Sequence, residues 1–147
     1  MTGNPPERIR ALIVDDDRDT VRVMTRLLEL IGCEAIGCVD PADCAKIAIR
    51  TRPHLIFVDI SMPVMDGFAV AQEIRRNGLT LGLLVALTSY GDEACRQRCT
   101  EAGFDEFLLK PATREQLRDL TRSAAEIAAS KLRPTSKKAK AKGSEPN

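Results

Sequence analysis

The sequence predicts an α/β domain in which a parallel sheet is covered by helices on both faces. Along its 147 residues, five short apolar runs alternate with five segments whose apolar residues recur at helical spacing. This alternation is typical of βα units. The run 55–59 is apolar up to its last residue, which indicates a strand buried on both faces, as in parallel sheets. We therefore expect one domain with right-handed crossovers between parallel strands.

The first half of the chain supplies three strands and two helices. Gly32 suits the left-handed turn that ends the first helix. Asp40 and Pro41 are typical of the cap and the first position of the second helix. The strand between these helices has the weakest signal of the five. The predicted bounds are strands at 10–14, 33–39 and 55–59, and helices at about 20–31 and 41–50.

The second half adds two strands and three helices. Gly67 comes just before the apolar positions of the third helix, and Gly103 closes the fourth. Thr113 and Gln116 have the spacing of a capping box, so they predict the start of the last helix. The remaining bounds are strands at 83–87 and within 104–109, a third helix ending at 77–78 and a fourth opening at 91–93.

The distribution of charge separates a folded domain from a basic tail. Residues 131–147 hold six Lys or Arg against one acid, whereas the rest of the chain has a net charge of −4. We expect residues 1–7 to be a flexible N-terminus, residues 8–130 to form the domain and residues 131–147 to be disordered. Such a tail can contact nucleic acid or an acidic partner, but we favour a solvated tail.

Composition argues against several classes of protein. The net charge of +1 gives no overall signal for nucleic-acid or membrane binding. No apolar run approaches a membrane span and no signal peptide opens the chain, so we expect a cytoplasmic protein. The five cysteines contain no Cys-x-x-Cys pair, which argues against a disulfide framework. Cys95 and Cys99 share a helix face but have no His nearby in sequence, so we predict buried apolar cysteines rather than a metal site.

Polar residues end or follow four of the five predicted strands. Asp15 and Asp16 follow the first, Asp59 ends the third, Thr88 follows the fourth and Lys110 follows the fifth. Because the carboxyl ends of parallel strands meet at one edge of the sheet, we expect these side chains to share a crevice. Three carboxylates repel one another unless a cation neutralises them. Mg²⁺ suits such a site, with few protein ligands and space for a phosphate.

The same edge has the groups needed to accept a phosphoryl group. Lys110 and Thr88 have a common partner in phosphoryl oxygens. Asp59 stands at the middle of the edge, so it is the candidate nucleophile that would form an aspartyl phosphate. His54 precedes the strand that Asp59 ends, and about 16 Å separates them at roughly 3.3 Å per residue. We therefore predict a loop or surface histidine with no role as base or phosphate carrier.

The sequence contains four motifs at its strand ends, which are Ile-Val-Asp-Asp-Asp at 13–17, Val-Asp-Ile-Ser-Met-Pro-Val-Met-Asp-Gly at 58–67, Ala-Leu-Thr at 86–88 and Lys-Pro at 110–111. Together they resemble the receiver domain of two-component response regulators, over about residues 8–128. The resemblance implies a flavodoxin-like (βα)5 fold with strand order 2-1-3-4-5. It makes Asp59 the phosphoacceptor, served by a sensor histidine kinase or a histidine phosphotransfer protein. It implies a signalling phosphoacceptor that catalyses only its own phosphotransfer and autodephosphorylation, not an enzyme for other substrates.

The resemblance also implies a ligand set for Mg²⁺. Asp16 and Asp59 would bind the ion directly, Asp15 largely through water, and Ser61 through its backbone carbonyl. Ser61 in addition lies two residues past the phosphoacceptor, where family members tune the lifetime of the phosphoryl group.

Further roles follow from the resemblance for the end of the sheet. Thr88 and Lys110 would hold the phosphoryl oxygens, and Pro111 would follow a cis peptide bond. Phe107 matches the family's switch aromatic, which turns inward as Thr88 moves toward the phosphoryl group. Tyr90 either shields the phosphoryl group and lengthens its lifetime or is a surface residue packed on the fourth helix, and both alternatives stay open.

The output surface implied by the resemblance is formed by the fourth helix, the fifth strand and the fifth helix. The 17 residues after the domain are too few for a DNA-binding output domain. We therefore expect output through a downstream protein, from a stand-alone regulator or a shuttle in a phosphorelay. A dimer that forms on phosphorylation is a further option.

Three alternatives compete with this interpretation. A haloacid-dehalogenase-type phosphatase also forms an aspartyl phosphate and begins with Asp-x-Asp, which Asp15 and Asp17 satisfy. It needs a later acidic pair, which nothing after Lys110 supplies, and it leaves Asp59 without a role. A receiver-like docking module that never takes phosphate usually loses the Lys or one acid, and here all are present. A flavin-binding flavodoxin requires a Ser/Thr/Gly-rich loop after the first strand, which this sequence lacks.

Overall fold

The computed structural model describes residues 8–61, 67–77 and 82–131 of the chain. These residues form five strands, five α-helices and one short 3₁₀-helix. In chain order the elements are β1 (Arg10–Val14), α1 (Arg18–Ile31), β2 (Glu34–Cys38), the 3₁₀-helix (Pro41–Asp43), α2 (Cys44–Thr51), β3 (Leu55–Asp59), α3 (Gly67–Arg76), β4 (Leu83–Thr88), α4 (Glu93–Ala102), β5 (Glu106–Leu109) and α5 (Arg114–Lys131).

The strands form one parallel sheet in the order β2-β1-β3-β4-β5. This confirms both the predicted α/β class and the implied strand order. Every residue of β3 and β4 is buried, whereas β2 and β5 lie at the two edges and are partly exposed. The exposure of β2 explains its weak signal, because an edge strand needs fewer apolar residues than a central one.

Alternate side chains of the central strands belong to two separate cores. One core lies under α2, α3 and α4 and includes Val58 and Ala86. The other lies under α1 and α5 and includes Phe57 and Leu87. This follows from the two-residue period of a strand, which directs neighbouring side chains to opposite faces. The carboxyl edge of the sheet therefore opens between two layers of helices.

Capping bonds fix the starts of α1 and α5 beside that edge. Asp17 caps α1 by accepting a hydrogen bond from the Asp19 amide at 3.2 Å. Thr113 and Gln116 make both bonds of the predicted capping box, at 3.0 and 3.1 Å. The left-handed residue after α1 is Gly32, with φ of 109°.

The second helix begins later than the sequence predicts. Pro41 opens a 3₁₀-helix, and the α-helix starts only at Cys44. The Asp40 side chain accepts from the Ala42 amide at 3.0 Å, and this short turn is compatible with the tighter helix. The prediction of a start at Pro41 was therefore right about a helical turn and wrong about its type.

The last helix is longer than predicted. α5 continues through Lys131, the first residue assigned above to the tail. The predicted flexible N-terminus at 1–7, the rest of the tail at 132–147 and the segment 62–66 of the second motif lie outside the described residues.

The prediction that the cysteines are mostly buried is confirmed. All five are free, four are buried and Cys95 is partly buried. No helix among the described residues is both long and apolar enough to cross a membrane.

Candidate functional site

The carboxyl edge of the sheet brings the predicted site residues together. Backbone hydrogen bonds extend the strand ladders into the loops, from the Asp15 amide to the Cys38 carbonyl at 3.1 Å and from the Lys110 amide to the Thr88 carbonyl at 2.8 Å. Asp15, Asp59 and Thr88 are buried at these strand ends. Their positions are thus set by the sheet itself rather than by a long loop.

Three carboxylates form a cluster with the character of a cation site. Asp15, Asp16 and Asp59 each offer one oxygen, and these oxygens lie within 4.8 Å of one another. Asp15 and Asp59 are buried, while Asp16 is exposed. Carboxylate oxygens are the ligands that Mg²⁺ prefers. The residues present therefore fit a divalent cation bound at an edge that solvent can reach.

The ammonium of Lys110 lies between two of these acids. Its Nζ is 2.8 Å from Oδ2 of Asp15 and 3.5 Å from Oδ2 of Asp59. Burial acts to lower the pKa of Lys110, but the hydrogen bond to Asp15 and the charges of Asp15 and Asp59 outweigh burial and raise it above its ordinary value. Lys110 therefore carries a positive charge at the site at neutral pH.

The environment of Asp15 opposes its negative charge. Burial raises the pKa of Asp15, and the charge of Asp59 raises it further. The hydrogen bonds from Lys110 and from the Asp17 amide, the latter at 3.0 Å, act in the opposite direction without cancelling the effect. The acid cluster is thus an arrangement that an added cation would stabilise.

The turn after β3 orients the carboxylate of Asp59. The amide and the hydroxyl of Ser61 both donate to Asp59 Oδ1, each at 3.1 Å. The other oxygen, Oδ2, faces Lys110. The roles predicted for Ser61, a carbonyl ligand and an influence on phosphoryl lifetime, did not include these two bonds. A Ser two residues after an Asp is the signal that predicts them, because Asp side chains accept from the backbone two residues on.

Thr88 and Tyr90 are linked at the end of β4. Thr88 is buried, and its Oγ1 accepts from the Tyr90 amide at 3.0 Å. The hydroxyl proton of Thr88 is not used in that bond and is available for donation. The Tyr90 side chain is 79 % exposed, so the prediction that it shields a phosphoryl group stays a prediction.

Phe107 lies on β5 beside a small residue of β4. It pairs with Ala86 in the strand register, is half-buried and packs against the core under α2, α3 and α4. The guanidinium carbon of Arg96 is 4.8 Å from the centroid of its ring. Nothing in the sequence pattern indicated this contact. The peptide bond between Lys110 and Pro111 is cis, as the resemblance implied.

Gly67 allows α3 to approach the backbone of the acidic strand. A Cβ at this position would lie 2.5 Å from the Asp59 carbonyl oxygen and 2.5 Å from Cα of Ile60. No side chain fits that space, so the glycine is required for the approach. In the sequence Gly67 is only a turn signal, and this close approach beneath the site was not predicted.

His54 lies away from the cluster, in the loop between α2 and β3 at the amino edge of the sheet. Its Nδ1 accepts from the Arg10 amide at 2.9 Å. Burial and the neighbouring charge of Arg10 lower the pKa of His54. The predicted loop position is confirmed, although the ring is partly buried rather than on the surface.

Similarity to a known protein family identifies the kind of domain that carries this site. The sequence matches the model of the response regulator receiver domain over residues 11–122. The chain belongs to that family. Receiver domains are the phosphoacceptor modules of two-component signalling, and the acid cluster occupies the edge at which the resemblance placed the phosphoacceptor.

Two bacterial relatives differ in the share of their length that this chain matches. The chain is 39 % identical to transcriptional regulatory protein PrrA of Mycobacterium leprae over 104 residues, which are 69 % of this chain and 43 % of PrrA. It is 33 % identical to protein PilG of Pseudomonas aeruginosa over 111 residues, which are 74 % of this chain and 82 % of PilG. The match thus spans less than half of PrrA but most of PilG.

Solved structures share the fold. The chemotaxis protein CheY4 of Vibrio cholerae is similar with a TM-score of 0.75 and 24 % identity, over 80 % of this chain and 98 % of that chain. The receiver domain of sensor histidine kinase PA1611 from Pseudomonas aeruginosa is similar with a TM-score of 0.72 and 26 % identity, again over 80 % of this chain and 98 % of that chain. The PA1611 structure has a magnesium ion coordinated in its active-site cleft.

Proposed function

We propose that this receiver domain takes a phosphoryl group from a phosphohistidine onto Asp59 and signals through the surface of α4, β5 and α5. The observation that carries this proposal is the position of Lys110 Nζ, 2.8 Å from Asp15 and 3.5 Å from Asp59, at the edge of a three-carboxylate cluster. A nucleophile, a cation for the phosphoryl charge and a set of metal ligands thus meet at one place.

In the proposed step, a carboxylate oxygen of Asp59 attacks the phosphorus of the phosphohistidine. The bond from phosphorus to oxygen forms as the bond from phosphorus to nitrogen breaks, and the imidazole leaves with the electron pair. Ser61 keeps Oδ1 of Asp59 in two hydrogen bonds, which leaves Oδ2, on the side of Lys110, as the attacking oxygen. Lys110 and Thr88 would hold the phosphoryl oxygens as negative charge gathers on them.

The metal ligands proposed are Asp15, Asp16, Asp59 and the carbonyl of Ser61. The three carboxylates lie close enough together to share one ion. When bound, Mg²⁺ would neutralise carboxylate and phosphoryl charge at the site. The magnesium ion in the PA1611 receiver supports this assignment.

We assign the remaining predicted roles as part of the same proposal. Phe107 is the switch aromatic, and its place beside Ala86 supports this. Ser61 and Tyr90 would tune the lifetime of the phosphoryl group, Ser61 through its bonds to Asp59 and Tyr90 through its place two residues after Thr88.

The partners proposed are a sensor histidine kinase or a histidine phosphotransfer protein upstream and a protein that reads the α4–β5–α5 surface downstream. The match to most of PilG supports a stand-alone regulator or phosphorelay shuttle without a DNA-binding domain. A location in the cytoplasm is part of the same proposal. The match to less than half of PrrA supports a longer regulator instead. The size of the native protein on an immunoblot of cell extract decides between them.

Labelling with acetyl phosphate and Mg²⁺ tests the proposal. We expect one hydroxylamine-labile phosphoryl group on Asp59, located by mass spectrometry, and none in Asp59→Asn or in EDTA. Asp17→Asn is the matched control, because Asp17 caps α1 and Asn caps equally well, so its labelling should be unchanged. An unlabelled wild type would favour the docking module. Full labelling of Asp59→Asn, or its loss in Asp17→Asn, would favour the phosphatase.

A further inference from the structure

We propose that Arg96 is a positioning residue for the switch: its guanidinium stabilises the half-buried position of the Phe107 ring and so opposes the inward turn. This inference rests on the proposed function, because it concerns the regulation of the same phosphoacceptor site. It adds a residue of α4 to the set that determines how readily the domain is phosphorylated.

The contact between Arg96 and Phe107 has the geometry of a cation–π interaction. The guanidinium carbon is 4.8 Å from the ring centroid, within the range in which a cation is attracted to a ring face. Both residues line an open cleft of about 250 Å³ between α4 and β5. Among the described residues, Arg96 takes part in none of the ion pairs, so the ring is the partner of its charge there.

The neighbour of Phe107 on β4 is small. Phe107 pairs with Ala86, which is fully buried and has a one-carbon side chain. Thr88 lies two residues further along β4, so its side chain is on the same face of the sheet. When Thr88 moves toward a phosphoryl group, it leaves its bond to the Tyr90 amide and vacates volume beside Ala86. If the Phe107 ring turns into that volume, it loses its contact with the Arg96 guanidinium.

A contact made in only one of two positions biases the equilibrium between them by its own free energy. Cation–π contacts at exposed sites correspond to a bias of about two- to five-fold. Because the contact exists in the half-buried position, its loss should favour the inward position. The phosphorylated state and its analogues should then form more readily in a variant without the guanidinium.

The chain contains a matched control on the same helix. The guanidinium carbon of Arg98 is 4.1 Å from the centroid of the Phe68 ring, and both arginines are exposed. Phe68 belongs to α3, and its ring meets that of Phe104 edge-on with 6.4 Å between the centroids. Arg98→Gln therefore removes the same charge and the same type of contact from α4 while leaving Phe107 untouched.

The affinity for beryllofluoride, a phosphoryl analogue, tests the proposal in the presence of Mg²⁺. We expect Arg96→Gln to lower the dissociation constant by about two- to five-fold, measured by NMR titration. Arg96→Lys, which keeps a cation over the ring, should restore the wild-type value, and Arg98→Gln should not change it. An unchanged or raised constant in Arg96→Gln, or an equal decrease in Arg98→Gln, would overturn the proposal.

Two further measurements show whether the effect passes through the ring. In a Phe107→Leu background, Arg96→Gln should have no effect, and an undiminished effect there would contradict the mechanism. Without any analogue, the aromatic NMR signals of Phe107 should shift in Arg96→Gln and stay in place in Arg98→Gln. If the wild type binds no beryllofluoride, the proposed function fails. The NMR signals of the Phe107 ring still test the role of Arg96 in that case. Unchanged signals in Arg96→Gln would overturn this role without bearing on the proposed function.

Discussion

The two edges of the sheet use charge in opposite ways. At the amino edge, Arg10 donates to the carbonyls of Thr51 and Arg52, each at 2.9 Å, and its amide donates to His54. At the carboxyl edge, Asp15 and Asp59 face one another across a single ammonium. Charge at the amino edge is bonded to neutral backbone and stabilises the fold. At the carboxyl edge two like charges lie close together and share one ammonium, an arrangement that lowers stability and is typical of functional sites.

The largest expected difference between the edges comes from replacing one glycine at each edge with alanine. Gly67→Ala should lower the free energy of unfolding by about 2–3 kcal/mol, because the new Cβ meets the backbone of Asp59 and Ile60 at 2.5 Å. It should also abolish labelling, since the backbone of Asp59, the proposed phosphoacceptor, must move. Gly82→Ala is the control, with its nearest contact at 2.8 Å from the Pro53 carbonyl oxygen at the amino edge. It should lose stability but keep labelling in its folded fraction. Urea unfolding and acetyl phosphate labelling measure the two effects.

Replacing the central cation of each edge with an uncharged residue should show that Mg²⁺ restores stability at the carboxyl edge only. Lys110→Met leaves Asp15 and Asp59 opposed, so in EDTA it should lower the free energy of unfolding by about 1–3 kcal/mol. Saturating Mg²⁺ should recover most of that loss. Arg10→Met should lose about 1–2 kcal/mol through its carbonyl bonds, and Mg²⁺ should stabilise it only as much as wild type. Thermal or urea unfolding with and without Mg²⁺ measures both. Equal responses to Mg²⁺ would contradict the distinction.

Asp15→Asn should raise stability in EDTA at pH 7, by up to about 1 kcal/mol. The pKa of this buried carboxyl is raised in the folded state, so the folded protein holds its proton at pH values where the unfolded chain has released it. Stability therefore falls as pH rises through that window, and at pH 7 the charged form opposes folding. Saturating Mg²⁺ should stabilise the variant less than wild type. A variant less stable than wild type in EDTA would show that the pairing with Lys110 outweighs burial.

The smallest expected effect on stability is the titration of His54. Its pKa is lowered in the folded state, so the unfolded chain gains a proton first as pH falls below about 6.5. Stability from the neutral ring, about 1 kcal/mol or less, should be lost through that window, because protonated Nδ1 cannot accept from Arg10. His54→Gln should flatten the pH dependence of the unfolding midpoint between pH 7 and pH 5. An unchanged slope would assign the dependence to other groups.

The sequence predicted the elements whose signals are local. Apolar runs that end in Asp15, Asp59 and Lys110 mark both the strands and the shared edge, because parallel strands place their carboxyl ends together. The capping box of Thr113 and Gln116 is likewise complete within four residues. Such features need no knowledge of how distant segments pack.

The contacts that escaped prediction depend on packing between segments. Arg10 reaches the carbonyl of a residue 42 positions away, and no spacing rule encodes that bond. Arg96 meets Phe107 only because α4 packs beside an edge strand whose register is set by β4. Pro41 showed the limit of local signals as well, since a proline suits the first turn of a 3₁₀-helix as readily as that of an α-helix.

The edge position of β5 also determines which part of the molecule opens first. β5 is four residues long and has a neighbour on one side only, and α4 has one buried residue, Cys99. Amides of α4 and β5 should therefore exchange their hydrogens through local opening, whereas those of β1 and β3 should exchange only when the whole domain unfolds. The surface proposed to carry the signal is thus attached to the buried central strands β1, β3 and β4, which need not open when that surface changes.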